Sequence, residues 1–142
     1  MVDKIVYKGP LPKPTPETKP YWDGAKAGKL MLQRCNQCGP YFYPRPFCPN
    51  CFSWDVEWFE ASGRGKIYSY VISHRKLQHM KELPYIIAII ELEEGPRLMS
   101  NIIGVEPDPN KIQCDMLVEV DYVKVTDDVT LPKFRLASSK GE

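Results

Sequence analysis

The stretch from Cys35 to Cys51, CNQCGPYFYPRPFCPNC, constrains this 142-residue chain more than any other. It holds two Cys-x-x-Cys pairs, Cys35/Cys38 and Cys48/Cys51, with nine residues between them. A Cys-x-x-Cys turn lets two thiolates reach one ion from one side. Two such turns supply the four soft donors of a tetrahedral site, with sulfur about 2.3 Å from zinc. The separation is shorter than the usual ribbon spacing, but a compact hairpin spans it. Gly39 follows the first pair, Pro49 stiffens the second, and Arg34 and Arg45 are placed to offset the charge of four thiolates. Four cysteine ligands leave no open coordination position, so the site reads as structural. One zinc is the expected occupant; iron, held as in rubredoxin, is the chemical alternative. Thioredoxin-like redox chemistry lacks its βαβ setting. The fifth cysteine, Cys114, stands alone beside Asp115 with no evident activator. Packing in a core or turn is its expected role.

The rest of the chain must build a fold around that knuckle. Hydrophobic residues are 43% and charged residues 26%, the composition of a globular protein. A small N-terminal module would need its metal to hold together. No apolar run approaches the roughly 18 residues of a membrane span. Met1-Val2-Asp3-Lys4 lacks the apolar core of a signal peptide, so a cytoplasmic location is expected. Prolines at 10, 12, 14, 16 and 20 predict a stiff, extended arm. From Thr18 to Gly28 a short helix is expected, with Thr18 at the N-cap, Pro20 in the first turn and Gly28 as the stop. Tyr21, Trp22 and Ala25 share one face of it.

KLMLQRC reads as a strand entering the first knuckle, and after Cys51 the pattern turns to β. DVEWFEASGRGKIYSYVISHR alternates in two pieces broken at Gly63-Arg64-Gly65. PYIIAIIELEEG reads as a strand buried on both faces at its centre. RLMSNIIG, DMLVEVDYVKV and TLPKFRLA follow, with room for one helical turn between Pro107 and Ile112. Five strands with a short element between the third and fourth match the five-stranded Greek-key barrel called the OB-fold. The expected plan is mainly β. Residues 1–30 form a proline-rich arm and short helix, 31–55 a zinc ribbon, and 56–142 an OB-fold barrel.

Taken together, YWDGAKAGKLMLQRC, the paired knuckles with YPRPFCPNC, SGRGKIYSYVISHR, PYIIAIIELEEGPRLMSNIIG and the closing LPKFR resemble a known family. It is the archaeal and bacterial family of thiolase-associated zinc-ribbon/OB-fold proteins, formerly a domain of unknown function. The likeness runs from about Tyr21 onward. It implies an N-terminal helical segment, a rubredoxin-like zinc ribbon and a C-terminal OB-fold. It also implies acyl-CoA handling as a non-catalytic partner. Members are similar to the subunit that bridges acetoacetyl-CoA thiolase and hydroxymethylglutaryl-CoA (HMG-CoA) synthase, or join thiolase-like or hydratase-like enzymes. The family tends to carry a glycine before the fourth barrel strand, where this chain has Cys114-Asp115.

A coenzyme A thioester needs cations and free amides for its phosphates. Gly63, Arg64, Gly65 and Lys66 offer both, with Arg75, Lys76, Lys133 and Arg135 as further cations. Trp22, Tyr41, Phe42, Tyr43 and Phe47 are candidates to line a slot or stack on adenine, or else form the small core around the metal. Gly-Arg-Gly reads equally as a β-bulge. His74 and His79 stand in no Ser-His-Asp order, and no paired-carboxylate motif is visible. No catalytic residue is therefore expected. A single-stranded nucleic-acid binder is the competing reading, since both modules permit it. A formal net charge of +1 weighs against it.

Overall fold

In the computed structural model of the chain, residues 11–41, 45–75 and 84–137 are described. The candidate residues Phe42, Tyr43, Lys76 and His79, and Pro10 of the arm, lie outside them.

Helix α1 spans Lys19–Lys26, with Thr18 at the N-cap and proline in the first turn. Thr18 makes no capping side-chain bond; its Oγ1 instead meets the Oγ1 of Thr15 at 3.1 Å. The C-terminus closes as expected. Gly28 adopts φ +78, its N–H reaches the Ala25 carbonyl at 3.1 Å, and the Lys29 N–H reaches Gly24 at 2.8 Å. That pair of bonds is the Schellman closure, and the residue between its donors must be left-handed.

Strands β1 (Met31–Cys35), β2 (Gly39–Tyr41) and β3 (Val56–Glu60) form an antiparallel sheet in the order β2-β1-β3. Strand β3, which follows the expected ribbon limit at residue 55, pairs with β1 of this sheet. Strands β4 (Arg64–Ser73), β5 (Tyr85–Leu92), β6 (Arg97–Ile103), β7 (Leu117–Lys124) and β8 (Thr130–Leu136) close a barrel in the order β4-β5-β6-β8-β7. Its seam is the parallel pair β6–β8, with Ile102 opposite Phe134. The register of β4 on β5 shifts between Ile67 and Ser69, so the irregularity falls past Gly63-Arg64-Gly65. Between β6 and β7 the chain makes one turn with Lys111 N–H on the Asp108 carbonyl at 2.8 Å and a second with Met116 N–H on the Gln113 carbonyl at 3.4 Å. Ile112, between the two turns, is buried completely.

One core serves both sheets. Leu30, Leu32 and Ala61 from the ribbon side pack with Ile67, Ile86, Ile90, Val118 and Phe134 of the barrel. The joint between β3 and β4 is pinned by the Glu94 carboxylate, which accepts the Ser62 N–H at 2.8 Å. Strand β5 differs from expectation. Ile86, Ala88, Ile90 and Leu92 are buried, while Ile87 and Ile89 between them are only half covered. The run is continuous in sequence, but one of its two faces lies on the barrel's exterior.

Candidate metal centre and ligand surface

Cys35 ends β1, Cys38 sits in the turn to β2, and Cys48 and Cys51 flank the second turn. All four Sγ atoms lie within 4.8 Å of one another. Cys35 and Cys51 are 3.7 Å apart at sulfur. In a tetrahedron with metal–sulfur bonds near 2.3 Å, neighbouring sulfurs stand about 3.8 Å apart, so the cluster fits such an ion. Both turns aim N–H groups at sulfur: Gln37 N to Cys35 at 3.4 Å, and Asn50 N to Cys48 at 3.3 Å. The Asn50 side-chain amide reaches Cys38 at 3.3 Å. These donors favour thiolates. The backbone N–H of Cys51, helped by that of Asn50, pulls the Cys48 thiol down to about 6. Cys51 is lowered by the Ser53 N–H, but the crowding sulfurs of Cys38, Cys35 and Cys48, together with burial, push it up to about 12. Four thiolates this close need a cation between them. A bound zinc would join β1 to the second turn and leave no position for substrate.

On the exposed side of the second turn, Phe47 packs at 6.1 Å from Phe52 and 5.5 Å from Trp54, centroid to centroid. Phe52 holds φ +62. Its ring and that of Trp54 point largely into solvent. Neither Phe52 nor Trp54 stood out in the sequence, because no periodicity marks a turn.

The predicted ligand residues divide into groups. Arg64, Gly65 and Lys66 line one cavity of about 420 Å³ with Glu91, Glu93, Gly95 and Leu117. Its cations are already paired, Arg64 with Glu93 at 3.3 Å and Lys66 with Glu91 and Asp115 at 3.7 Å each. Nothing in the sequence signalled these pairings, because Glu91 enters from β5 and Glu93 and Asp115 from turns remote in the chain. The glycines have packing reasons of their own. A Cβ on Gly65 would fall 2.4 Å from the Glu91 carbonyl oxygen, and one on Gly63 would fall 2.6 Å from a Val120 methyl. Arg135 faces Glu119, and Glu119 faces Arg64, which sets Arg135 two strands away, about 10 Å. It leans to Asp121 at 3.8 Å. Lys133 bonds Asn101 Oδ1 at 2.9 Å. Arg75 lies beyond the far end of β4, on the order of 30 Å from Arg64 along the strand. Trp22 lies on α1, edge-on to Tyr21 at 4.9 Å. Neither Arg75 nor Trp22 is among the residues that line the cavity.

No acid–base set emerges among the described residues. Burial, with Tyr122 adding to it, holds Tyr21 far above the usual phenol range. Burial and the charge of Glu60 push Tyr122 up to about 12. Both stay protonated at any working pH. His74 is exposed at the end of β4, and Cys114 is exposed before β7.

Two family models match in tandem. One describes the rubredoxin-like zinc ribbon domain of ChsH2, over residues 22–57, and the other the C-terminal OB-fold domain of ChsH2, over residues 58–123. A DUF35 domain-containing scaffold protein of Methanocaldococcus jannaschii is 37% identical over 70% of this chain and 71% of its own length. The benzoylsuccinyl-CoA thiolase subunit BbsA of Thauera aromatica is 32% identical, over 72% and 69%. A probable enoyl-CoA hydratase alpha subunit of Thermomonospora curvata is 39% identical over 86% of this chain, but the match spans only 38% of that longer protein. Among solved structures, a chain of the Ltp2-ChsH2(DUF35) aldolase superposes with a TM-score of 0.79 at 37% identity, covering 89% of this chain and 99% of that one. No helix among the described residues is long and apolar enough to cross a membrane.

Proposed function

The chain belongs to the ChsH2-like (DUF35) family of zinc-ribbon/OB-fold proteins, and from that premise we propose that it is a non-catalytic, cytoplasmic accessory subunit of acyl-CoA enzymes. Its partners are thiolase-fold enzymes, such as acetoacetyl-CoA thiolase and HMG-CoA synthase, or hydratase-like enzymes. One observation carries the reading: the likeness runs unbroken through ribbon and barrel, to relatives named as scaffold proteins or as subunits of acyl-CoA enzymes. A four-sulfur site gives its metal a structural task. The cavity at Arg64, Gly65 and Lys66 is the place where a coenzyme A phosphate would rest. The Arg64–Glu93 pairing there is largely exposed, so exchanging that carboxylate for a phosphate costs little. Holding the CoA tail on a shared subunit raises the effective concentration of the thioester at the next active site.

The purified chain alone should show no thiolase, synthase, hydratase or thioesterase turnover. It should co-purify with a thiolase-type or hydratase-type enzyme of its own cell. Arg64→Glu should weaken retention of CoA by the complex about tenfold while leaving the circular dichroism spectrum unchanged. Robust turnover by this chain alone would sink the reading. A salt titration with a single-stranded oligonucleotide tests the nucleic-acid alternative, which requires affinity that falls steeply as salt rises.

A further inference from the structure

We propose that the exterior of the barrel across β4, β5 and β6 is the surface on which the partner enzyme docks. We further propose that the partner meets it with apolar side chains and one carboxylate that pairs with Lys133. The inference rests on the accessory-subunit reading and adds where, and with what chemistry, the partner binds.

The face begins with β5, whose apolar run has only one side in the core. Ile87 stands beside Val71 of β4, and Ile89 stands between Ser69 of β4 and Met99 of β6. Val71 is 57% exposed, Met99 64% and Tyr68 48%. Scattered apolar residues on a surface are ordinary, but five on three adjacent strands make a contiguous patch, the mark of a contact site.

The two polar borders of the patch differ. On one side Lys66, Glu91 and Arg97 form a row across the strands. There Glu91 holds Arg97 at 3.1 Å and Lys66 at 3.7 Å, and the Arg97 guanidinium lies 3.8 Å over the Tyr68 ring. That border is electrically complete. On the other side stand Asn101 and Lys133. The Asn101 amide donates to the Ile86 carbonyl at 2.9 Å, and its oxygen accepts from Lys133 at 2.9 Å. Asp121, opposite Lys133 in register, turns to Arg135. Lys133 is partly buried, and among the described residues no carboxylate lies within ion-pair distance of it. Its burial lowers the ammonium below its ordinary range. Arg64, Lys66, Arg97 and Arg135 of the same barrel each have a carboxylate.

Covering this face removes the remaining water from Lys133. An ammonium sealed against a neutral amide alone is costly, and a carboxylate placed opposite removes most of that penalty. The complementary surface is therefore apolar with one acidic side chain at its edge. That is the anatomy of a protein interface, an apolar centre with a polar rim. A nucleic acid could supply the anion but not cover five apolar side chains.

The test uses the full chain with a thiolase-type or hydratase-type enzyme of its own cell, measured by titration calorimetry. Met99→Lys and Lys133→Glu should each weaken the complex at least about tenfold. Trp54→Ala, on the ribbon's exposed aromatic cluster, should leave it within about twofold. Changing the partner's matching carboxylate to lysine should restore binding to Lys133→Glu. Zinc content and circular dichroism report whether each variant folds. A readout on unmutated protein stands beside them: peroxide oxidation of Met99, followed by peptide mass spectrometry, should slow several-fold in the complex. If the wild type binds such an enzyme while Met99 oxidises at the free rate and both variants still bind, the docking face is wrong and the accessory-subunit reading stands. If the wild type binds no such enzyme, both fall. Self-association or oligonucleotide binding abolished by Met99→Lys would give the face to another occupant and overturn the proposal.

Discussion

Asp115 shows at the residue scale how a departure from family pattern is absorbed. The turn before β7 is where the resembling family tends to have glycine, and Asp115 adopts φ +70 there. Its N–H donates to the Ile67 carbonyl at 2.7 Å, so the turn extends the β4 ladder and cannot relax. Aspartate tolerates the left-handed region better than most residues, yet still at a cost that glycine avoids. Asp115→Gly should therefore stabilise the chain by about 0.5–1 kcal/mol, net of an exposed Lys66 contact that contributes little. A raised midpoint in urea denaturation, with unchanged slope, would register it. The departure was visible in the sequence, whereas the backbone angle that explains it was not. Phe52 takes the same conformation with a bulkier side chain, and no pattern in the chain announced that.

At the scale of elements, alternation and punctuation were enough to find the helix and every strand except the three-residue β2. Gly28 stops α1 for the reason its position suggested, and Pro20 falls in the first turn. Covering and pairing were harder to read. An unbroken apolar run such as YIIAIIEL carries no sign of whether its second face meets protein or solvent, and here that face is exterior. VEWFE reads as a strand whichever sheet it joins, and its pairing with β1 along five residues depends on contacts far away in sequence. The four metal ligands were legible because local turn geometry fixes their spacing. The cavity at Arg64 is assembled from three strands and a turn, and its carboxylates carry no local signature. Gly65 illustrates the difference. Its place between charged residues suggested ligand approach, while the structure brings the Glu91 carbonyl to where a Cβ would be. Gly65→Ala should push β4 and β5 apart at that point and destabilise the barrel by about 2–3 kcal/mol. Thermal unfolding of the variant beside the wild type measures the effect, and a loss below about 0.5 kcal/mol would show that the Glu91 backbone gives way.

The molecule as a whole folds around a single core, since Leu30 and Leu32 flank and enter β1 yet pack with the barrel. The metal's binding free energy should therefore be felt beyond the ribbon. Elemental analysis of protein purified without added metal should find about one zinc per chain. Chelation, or Cys38→Ser, should lower the unfolding midpoint of the barrel by several degrees and more, with tryptophan fluorescence and circular dichroism moving together. Independent unfolding of the two parts would contradict the shared core. The ribbon sheet also bears on edge-to-edge association of copies. Unlike a closed barrel, it ends in two outer strands, and such strands invite stacking into aggregates. β2 is three residues long and holds Pro40, which has no N–H to offer a newcomer. β3 carries Glu57, which Arg34 holds at 3.0 Å, and Glu60, both exposed, and charged side chains on an edge strand discourage a second copy laid alongside. The chain can thus leave apolar side chains in view on its barrel without also presenting an open backbone ladder on which copies could polymerise.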